Sequence, residues 1–422
     1  MALNFPVRKS DLTGSTRLIT DATTGITDLV EAMHERIARP LGMPRLAAEG
    51  RTIGITGLVY GSIRGITRMV GLGVEALVEL IVPPLGSDAP VPSREAALAA
   101  LNGVLGDHLV ASGNPLAKSM ALRRDGRPLP TTREDLAAAI PDAGRGILLL
   151  VHGLCMNDLQ WSRAGRDQGA DLARDLGLTP LWLDYNAGLH IATNGRDLAA
   201  RLEALVDIWP CRPERIVLVG HSMGGLVARS AHVQGREAGH RWPDLVTDMV
   251  FLGSPHHGAP LEKAGSWIDV VLGATPYAAP FARLGRVRSA GITDLRDGRL
   301  VDDERGEGDR SARGGTSGRH VPLPADVRCW AIAATTGFAD GGPAGNLLGD
   351  GLVPLDSALG RHRDPARCLA FPAERQWIAR GIGHLDLLWD DDVWARLRAW
   401  LGAPAAAGGA AARGEAEISS PA

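Results

Sequence analysis

The chain has 422 residues, 45% of them hydrophobic, and a net charge of −3. That is long and apolar enough for two or three domains with a sizeable core. The near-neutral balance leaves no basic footprint for nucleic acid. Cys155, Cys211, Cys329 and Cys368 are widely spaced with no C-x-x-C pair, so they read as buried thiols in a reducing compartment. The opening MALNFPVRKSDLTGS lacks the apolar core of a signal peptide, which makes a cytoplasmic location the expectation.

Residues 1–140 are expected to form a helical N-terminal region, closed by the polar stretch RRDGRPLPTTREDL and by Pro141. Apolar residues from Val59 to Ile81 recur at steps of three and four, which predicts a long amphipathic helix. The segment around Ile26–Ile37 and the run SREAALAALNGVLGDHL predict two more, favouring a small bundle. The longest uncharged run here, between Arg51 and Arg64, is well short of the roughly 20 apolar residues that a bilayer span needs. Two uses of the Val59–Ile81 face stay open: packing on the rest of the chain, or peripheral contact with a membrane surface. Alternating Arg and Glu on its polar side weaken the second.

From residue 141 the pattern becomes that of a parallel sheet with helices on both faces. Strands are predicted near 147–151, 181–185, 215–220, 247–253, 327–333 and 368–371, and helices near 163–175, 195–208, 223–235 and 390–401. Between the fourth and fifth strands the chain is far longer than a crossover needs. Its first part, WIDVVLGATPYAAPFARLG, predicts an apolar helical cap within about 256–326, either a moving lid or a static wall. Its second part is charged and Gly-rich and reads as a loop, and the Ala/Gly-rich stretch 403–422 reads as a disordered tail.

The chemistry concentrates in RIVLVGHSMGGLVARSA, residues 215–231. A β-branched run ends at Gly220, Ser222 follows, and Leu226, Val227 and Ala231 continue at helical spacing. A hydroxyl becomes a nucleophile when a sharp strand-to-helix turn holds it where a base can take its proton and backbone N–H groups can hold an oxyanion. Gly220 and Gly224 leave room for that turn, and Gly225 lets the helix lie close to the sheet. Upstream, GILLLVHGLCMND is a strand ending at His152-Gly153. Downstream, LLGDGLVPLDSA supplies Asp350 and GIGHLDLLW supplies His384.

Taken together, VLVGHSMGG, LLLVHGL, FLGSPHHGAP, GDGLVP and GHLDLLW resemble the α/β-hydrolase superfamily, in its bacterial lipase and esterase branch, and also the lipases of the GPI inositol-deacylase type. The resemblance covers about residues 141–402. It implies an α/β-hydrolase fold for a catalytic domain there, with Ser222 as nucleophile, His384 as general base and then acid, and Asp350 as the group that orients and stabilises the imidazolium. It also implies an oxyanion hole built from the backbone N–H groups of Leu154 and Met223, each such donor being worth about 2.7–4 kcal/mol in the transition state.

Rivals exist for two of these roles. His152 and His221 lie inside the turn motifs, His256 and His257 precede the acid, and adjacent histidines make a poor metal site. His320 also precedes Asp350, and His362 sits among arginines. Asp340 and Asp356 are near Asp350 in sequence, whereas Asp386 lies too close to His384 for more than a local hydrogen bond.

The expected activity is hydrolysis of a carboxylic ester, lipidic in character, through an acyl-enzyme, with no metal and no organic cofactor. Trp161 beside the His-Gly turn favours a lipidic acyl group if it lines the pocket and says nothing if it is core. An acyltransferase or a thioesterase would use the same three residues, and a scaffold without catalysis would lack a competent set.

Overall fold

The computed structural model describes residues 9–38, 64, 92–259, 289–301, 319–337 and 349–402. The amphipathic stretch Val59–Ile81 (save Arg64), the apolar segment 267–285, Asp340 and the tail from 403 lie outside them. In chain order the elements are α1 (Lys9–Ala38), α2 (Pro92–Ala111), β1 (Ala121–Arg124), β2 (Arg127–Pro128), α3 (Arg133–Ala139), β3 (Gly146–Val151), β4 (Ser162–Arg163), β5 (Arg166–Asp167), α4 (Gln168–Asp175) and β6 (Thr179–Asp184). There follow α5 (Ile191–Ile208), β7 (Arg215–His221), α6 (Met223–Glu237), β8 (Val246–Leu252), α7 (Ala290–Asp297), β9 (Arg328–Thr335), α8 (Leu355–Ala358), β10 (Gln376–Arg380) and α9 (Asp391–Gly402).

Eight strands form one sheet in the order β10-β9-β8-β7-β3-β6-β1-β2. From β6 to β10 every pairing is parallel, and β1 runs antiparallel to β6, with Leu122 opposite Leu183. A central parallel strand is covered on both faces, which is why Ile147 to Val151 and Ile216 to Val219 can be apolar without a break and are all fully buried. Successive side chains still alternate. Ile147, Leu149, Ile216 and Leu218 pack with Leu202 of α5 and Leu226 of α6, whereas Leu148, Leu150, Val217 and Val219 pack with Leu172 of α4 and Trp394 of α9. The architecture is the α/β-hydrolase arrangement expected from the sequence, with a helical N-terminal region.

Three expectations need correcting. Residues 368–371 do not join the sheet. The last strand is β10, whose Trp377 and Ile378 are only half-buried, while Leu369 and Phe371 bury their side chains from a segment that ends at Pro372. The helix expected from 163 begins at Gln168, because Ala164 (φ 52°) and Gly165 (φ 79°) turn the chain into a β4–β5 hairpin. Of the cysteines, Cys155 and Cys329 are buried but Cys368 is exposed, its Sγ bonded to the main-chain oxygen of His362 beside a short 3-10 turn.

The described residues from 92 to 140 are built into the same body. Besides supplying β1 and β2, it supplies α2, whose Ala100, Leu101, Val104 and Leu109 pack into the core on the α5–α6 face. Glycines make this contact close. A Cβ at Gly103 would fall 2.3 Å from Cys155 Sγ, and one at Gly106 would fall 1.9 Å from Asn186 Oδ1. At α2, helix thus meets the loops that follow β3 and β6.

Candidate active site

The site is assembled at the C-terminal ends of neighbouring parallel strands. Ser222 caps α6 directly after β7 with φ 53° and ψ −125°, a conformation that side chains rarely adopt, and its N–H donates to Leu252 O at 2.8 Å. The turn is possible because of what the flanking residues lack. A Cβ at Gly220 would lie 2.4 Å from the Gly225 backbone, and one at Gly224 would lie 2.1 Å from Val151 O. The second contact brings the first turn of α6 against the end of β3, so that the loop at Gly153 reaches Ser222, whose Cβ lies 3.0 Å from where a Gly153 Cβ would be.

Asp350 and His384 come from the loops after β9 and β10. His384 Nδ1 lies 2.7 Å from Asp350 Oδ2, with both residues buried. The other carboxylate oxygen accepts the N–H groups of Leu352 and Val353, at 2.9 and 2.7 Å, which fixes the orientation of the carboxylate. An Nδ1–H donated to Asp350 leaves Nε2 as the basic nitrogen, and Nε2 is buried with no hydrogen-bond partner. Gly253, at φ 59°, lies under the imidazole, where a Cβ would come within 3.1 Å of the ring.

The loop after β3 is held on several sides. His152 Nδ1 lies 2.8 Å from Gly153 O, Tyr185 OH donates to His152 O at 2.9 Å, and the two rings stack at 4.3 Å. Because a trans peptide points its C=O and N–H in opposite directions, the bond to Gly153 O also fixes the direction of the Leu154 N–H. Below this sits a buried ion network. Lys118 Nζ is 2.5 Å from Asp184 Oδ1, and Arg123 is 3.1 Å from Asp184 Oδ2. Burial alone would raise Asp184, but Lys118, His152 and Arg123 together hold its carboxyl well below the usual range. Met223 opens α6, so its N–H has no intrahelical acceptor.

The structure thus brings the Gly153 loop against Ser222 and joins His384 to Asp350. Five of the rivals are exposed or engaged locally. Asp356 is exposed on α8, and Asp386 Oδ2 accepts the Gly383 N–H. His257 Nε2 bonds to Gly360 O, His362 Nδ1 accepts the Asp364 N–H, and His320 is exposed. Trp161 is fully buried, edge-on to His221 and Trp394, and belongs to the core rather than to a pocket wall. Sequence reasoning gave no role to Lys118, Arg123 or Asp184. The one available signal was that Lys118 is among only three lysines in the chain.

A parallel sheet of this order, with a strained serine between its central strand and the following helix, defines the class: the chain has the α/β-hydrolase fold. More particularly, residues 143–279 match the family model of the PGAP1-like alpha/beta domain. No curated protein matches the chain in sequence. Among solved structures, a lipase from Bacillus licheniformis in its mature form is similar at 17% identity and a TM-score of 0.40, covering 67% of this chain and 98% of that one. An esterase from Pyrococcus furiosus is similar at 14% identity and a TM-score of 0.37, covering 62% and 82%. A hyperthermophilic esterase from Pyrobaculum calidifontis is similar at 14% and 0.37, covering 61% and 75%. No helix among the described residues is long and apolar enough to cross a membrane.

Proposed function

We propose that this chain hydrolyses carboxylic esters through an acyl-enzyme formed on Ser222. The observation that carries the reading is the buried 2.7 Å contact of His384 with Asp350, paired with the strained backbone of Ser222 at the end of β7. In this reading His384 Nε2 takes the Ser222 proton as Oγ attacks the ester carbonyl, Asp350 stabilises the resulting imidazolium, and His384 returns the proton to the departing alcohol. The N–H groups of Leu154 and Met223 hold the oxyanion. Water then attacks the acyl group by the same steps in reverse order. None of these steps calls on a metal or an organic cofactor.

The ester we propose is lipidic, a reading supported by the apolar sequence 267–285 between β8 and β9. Hydrolysis of p-nitrophenyl esters from acetyl to palmitoyl, by the wild type and by Ser222→Ala, with and without lipid vesicles, tests both parts. Activity lost in the variant with its melting temperature unchanged supports the nucleophile, and a long-chain optimum enhanced by vesicles supports a lipidic substrate and peripheral membrane contact. Equal activity in both proteins would remove Ser222 from the chemistry. A short-chain optimum indifferent to vesicles would leave an esterase of small compounds.

A further inference from the structure

His152 and Asp158 bound the loop that follows β3, and one buried cluster of charges reaches both. His152 is fully buried and held at both ring nitrogens. The Tyr185 N–H donates to Nε2 at 3.4 Å, so the ring proton sits on Nδ1 and is donated to Gly153 O at 2.8 Å. Nε2 also faces Asp184 Oδ1 at 3.8 Å, and that same oxygen accepts from Lys118 Nζ at 2.5 Å. Arg123 lies 3.1 Å from the other oxygen, without the alignment of a hydrogen bond, and reaches Asp158 at 3.4 Å. The Lys118 and Asp184 side chains are only 7% and 1% exposed. Lys118 is set in place by α2, since its N–H donates to Asn102 Oδ1 at 2.8 Å.

The two neutral forms of His152 are not equivalent in this setting. With the proton on Nδ1, each ring contact pairs a donor with an acceptor. With the proton on Nε2, that N–H would meet the Tyr185 N–H, and a bare Nδ1 would face Gly153 O, acceptor against acceptor. The Gly153 carbonyl would then have to turn. Because it shares a trans peptide with the Leu154 N–H, that donor would turn with it. A bare carboxylate beside Nε2 favours this second form, because it would accept the Nε2–H. Lys118 removes the attraction by occupying Oδ1, the oxygen that faces the ring.

We infer that Lys118, from the chain ahead of the parallel sheet, is a positioning residue of the oxyanion hole: by occupying Asp184 it keeps the His152 proton on Nδ1 and so sets the direction of the Leu154 N–H. Lys118 has this role only if Ser222 is the nucleophile, as proposed. Its loss should then weaken the hold on the transition state and leave substrate binding alone.

An alkyl trifluoromethyl ketone reads the oxyanion hole directly. Ser222 Oγ bonds to the ketone carbon, the carbonyl electron pair becomes an oxyanion, and the hydroxyl proton passes to His384. Its Ki is measured beside kcat and KM for p-nitrophenyl butyrate. In Lys118→Met, kcat should fall at least tenfold and Ki rise by a similar factor, with KM within twofold of the wild type. Lys118→Arg should keep most of both, and Lys118→Met combined with Asp184→Asn, which also removes the attraction, should recover to within threefold. Nitrogen-15 spectra of the imidazole rings, with the His152 signal assigned by its absence in His152→Gln, should show the wild-type proton on Nδ1. A wild-type proton on Nε2 overturns the inference even if Lys118→Met fails to fold. A folded Lys118→Met with wild-type kcat and Ki, or with only a lowered melting temperature, overturns it as well while leaving Ser222 as nucleophile. If the wild type does not bind the ketone, or Ser222→Ala binds it equally, the reading of Ser222 falls and the role of Lys118 falls with it.

Discussion

His221 Nε2 lies 3.1 Å from the main-chain oxygen of His384, and the two rings stand 4.7 Å apart at 46°. Burial, then the field of His384, hold His221 far below its ordinary titration range, so it is neutral and its Nε2–H donates. The residue before Ser222 therefore grips the loop that carries His384. Since a misplacement of about 1 Å can lower a rate by about 100-fold, His221→Ala should lower kcat for ester hydrolysis by tenfold to about 100-fold with KM little changed, and His221→Gln should restore part of it. A kcat equal to that of the wild type would show that the His384 loop holds its place unaided.

Asp350 accepts from His384 on one oxygen and from two backbone amides on the other. An amide in its place keeps the shape but offers an NH2 group to some of these donors, and it no longer balances an imidazolium. Asp350→Asn should lower kcat by about 10⁴-fold while leaving the circular-dichroism spectrum intact. Retention of most activity would pass the orienting role to another carboxylate.

The glycines of the Ser222 turn and a glycine of α1 should respond in opposite directions. Alanine at Gly220 would place its Cβ 2.4 Å from backbone atoms of Gly225, which cannot swing aside. That overpacking should cost about 3 kcal/mol. Gly25 in α1 has nothing within 4 Å of the same position, so Gly25→Ala should gain up to about 1 kcal/mol of helix propensity. Urea midpoints of the two variants decide it, and a neutral Gly220→Ala would mean that the turn can relax.

Stability should fall as the solution is acidified below the ordinary range of histidine. Burial lowers His232 and His257 to about 4, and it also holds His221 and His256 well below the ordinary histidine range. Below pH about 6.5 an unfolded chain takes up these protons while the folded one does not. The stability is thus fully present above that pH and is lost on the way down to about 4. Each fully buried histidine contributes at most about 1.4 kcal/mol per pH unit, and half-buried His257 contributes less. Asp158 and Asp167, raised by burial, act in the opposite sense at lower pH. The urea midpoint should drop between pH 7 and 5, less steeply in His232→Asn. A flat profile would mean that these rings charge without unfolding.

The central strands were legible because Ile147–Val151 and Ile216–Val219 are unbroken apolar runs, a pattern that only a strand buried on both faces can use at that length. The positions of Ser222 and Asp350 were legible for a related reason, since each follows an apolar strand of one parallel sheet, whereas His384 was placed by the motif GHLDLLW ahead of the last helix. β10 was not, because an edge strand such as QWIAR is half-exposed and has no apolar run to show. Nor could the pairing of Lys118 with Asp184 be read. It depends on β1 lying antiparallel to β6, and a strand of only four residues gives little periodicity. The fit of α2 onto Cys155 and Asn186 is written in missing atoms, at Gly103 and Gly106, which acquire meaning only in three dimensions.

The antiparallel seam between β1 and β6 has a practical meaning for anyone wishing to shorten this protein. A polypeptide beginning at residue 141 would leave the outer rim of β6 bare from Trp182 to Asp184, a row of amides and carbonyls ready to recruit a strand from a neighbouring molecule. It would also strip Lys118 and Arg123 from a carboxylate that cannot be left alone in the interior. β1 and β2 are in this sense the hem of the sheet, and cutting them away invites the fabric to stick to itself.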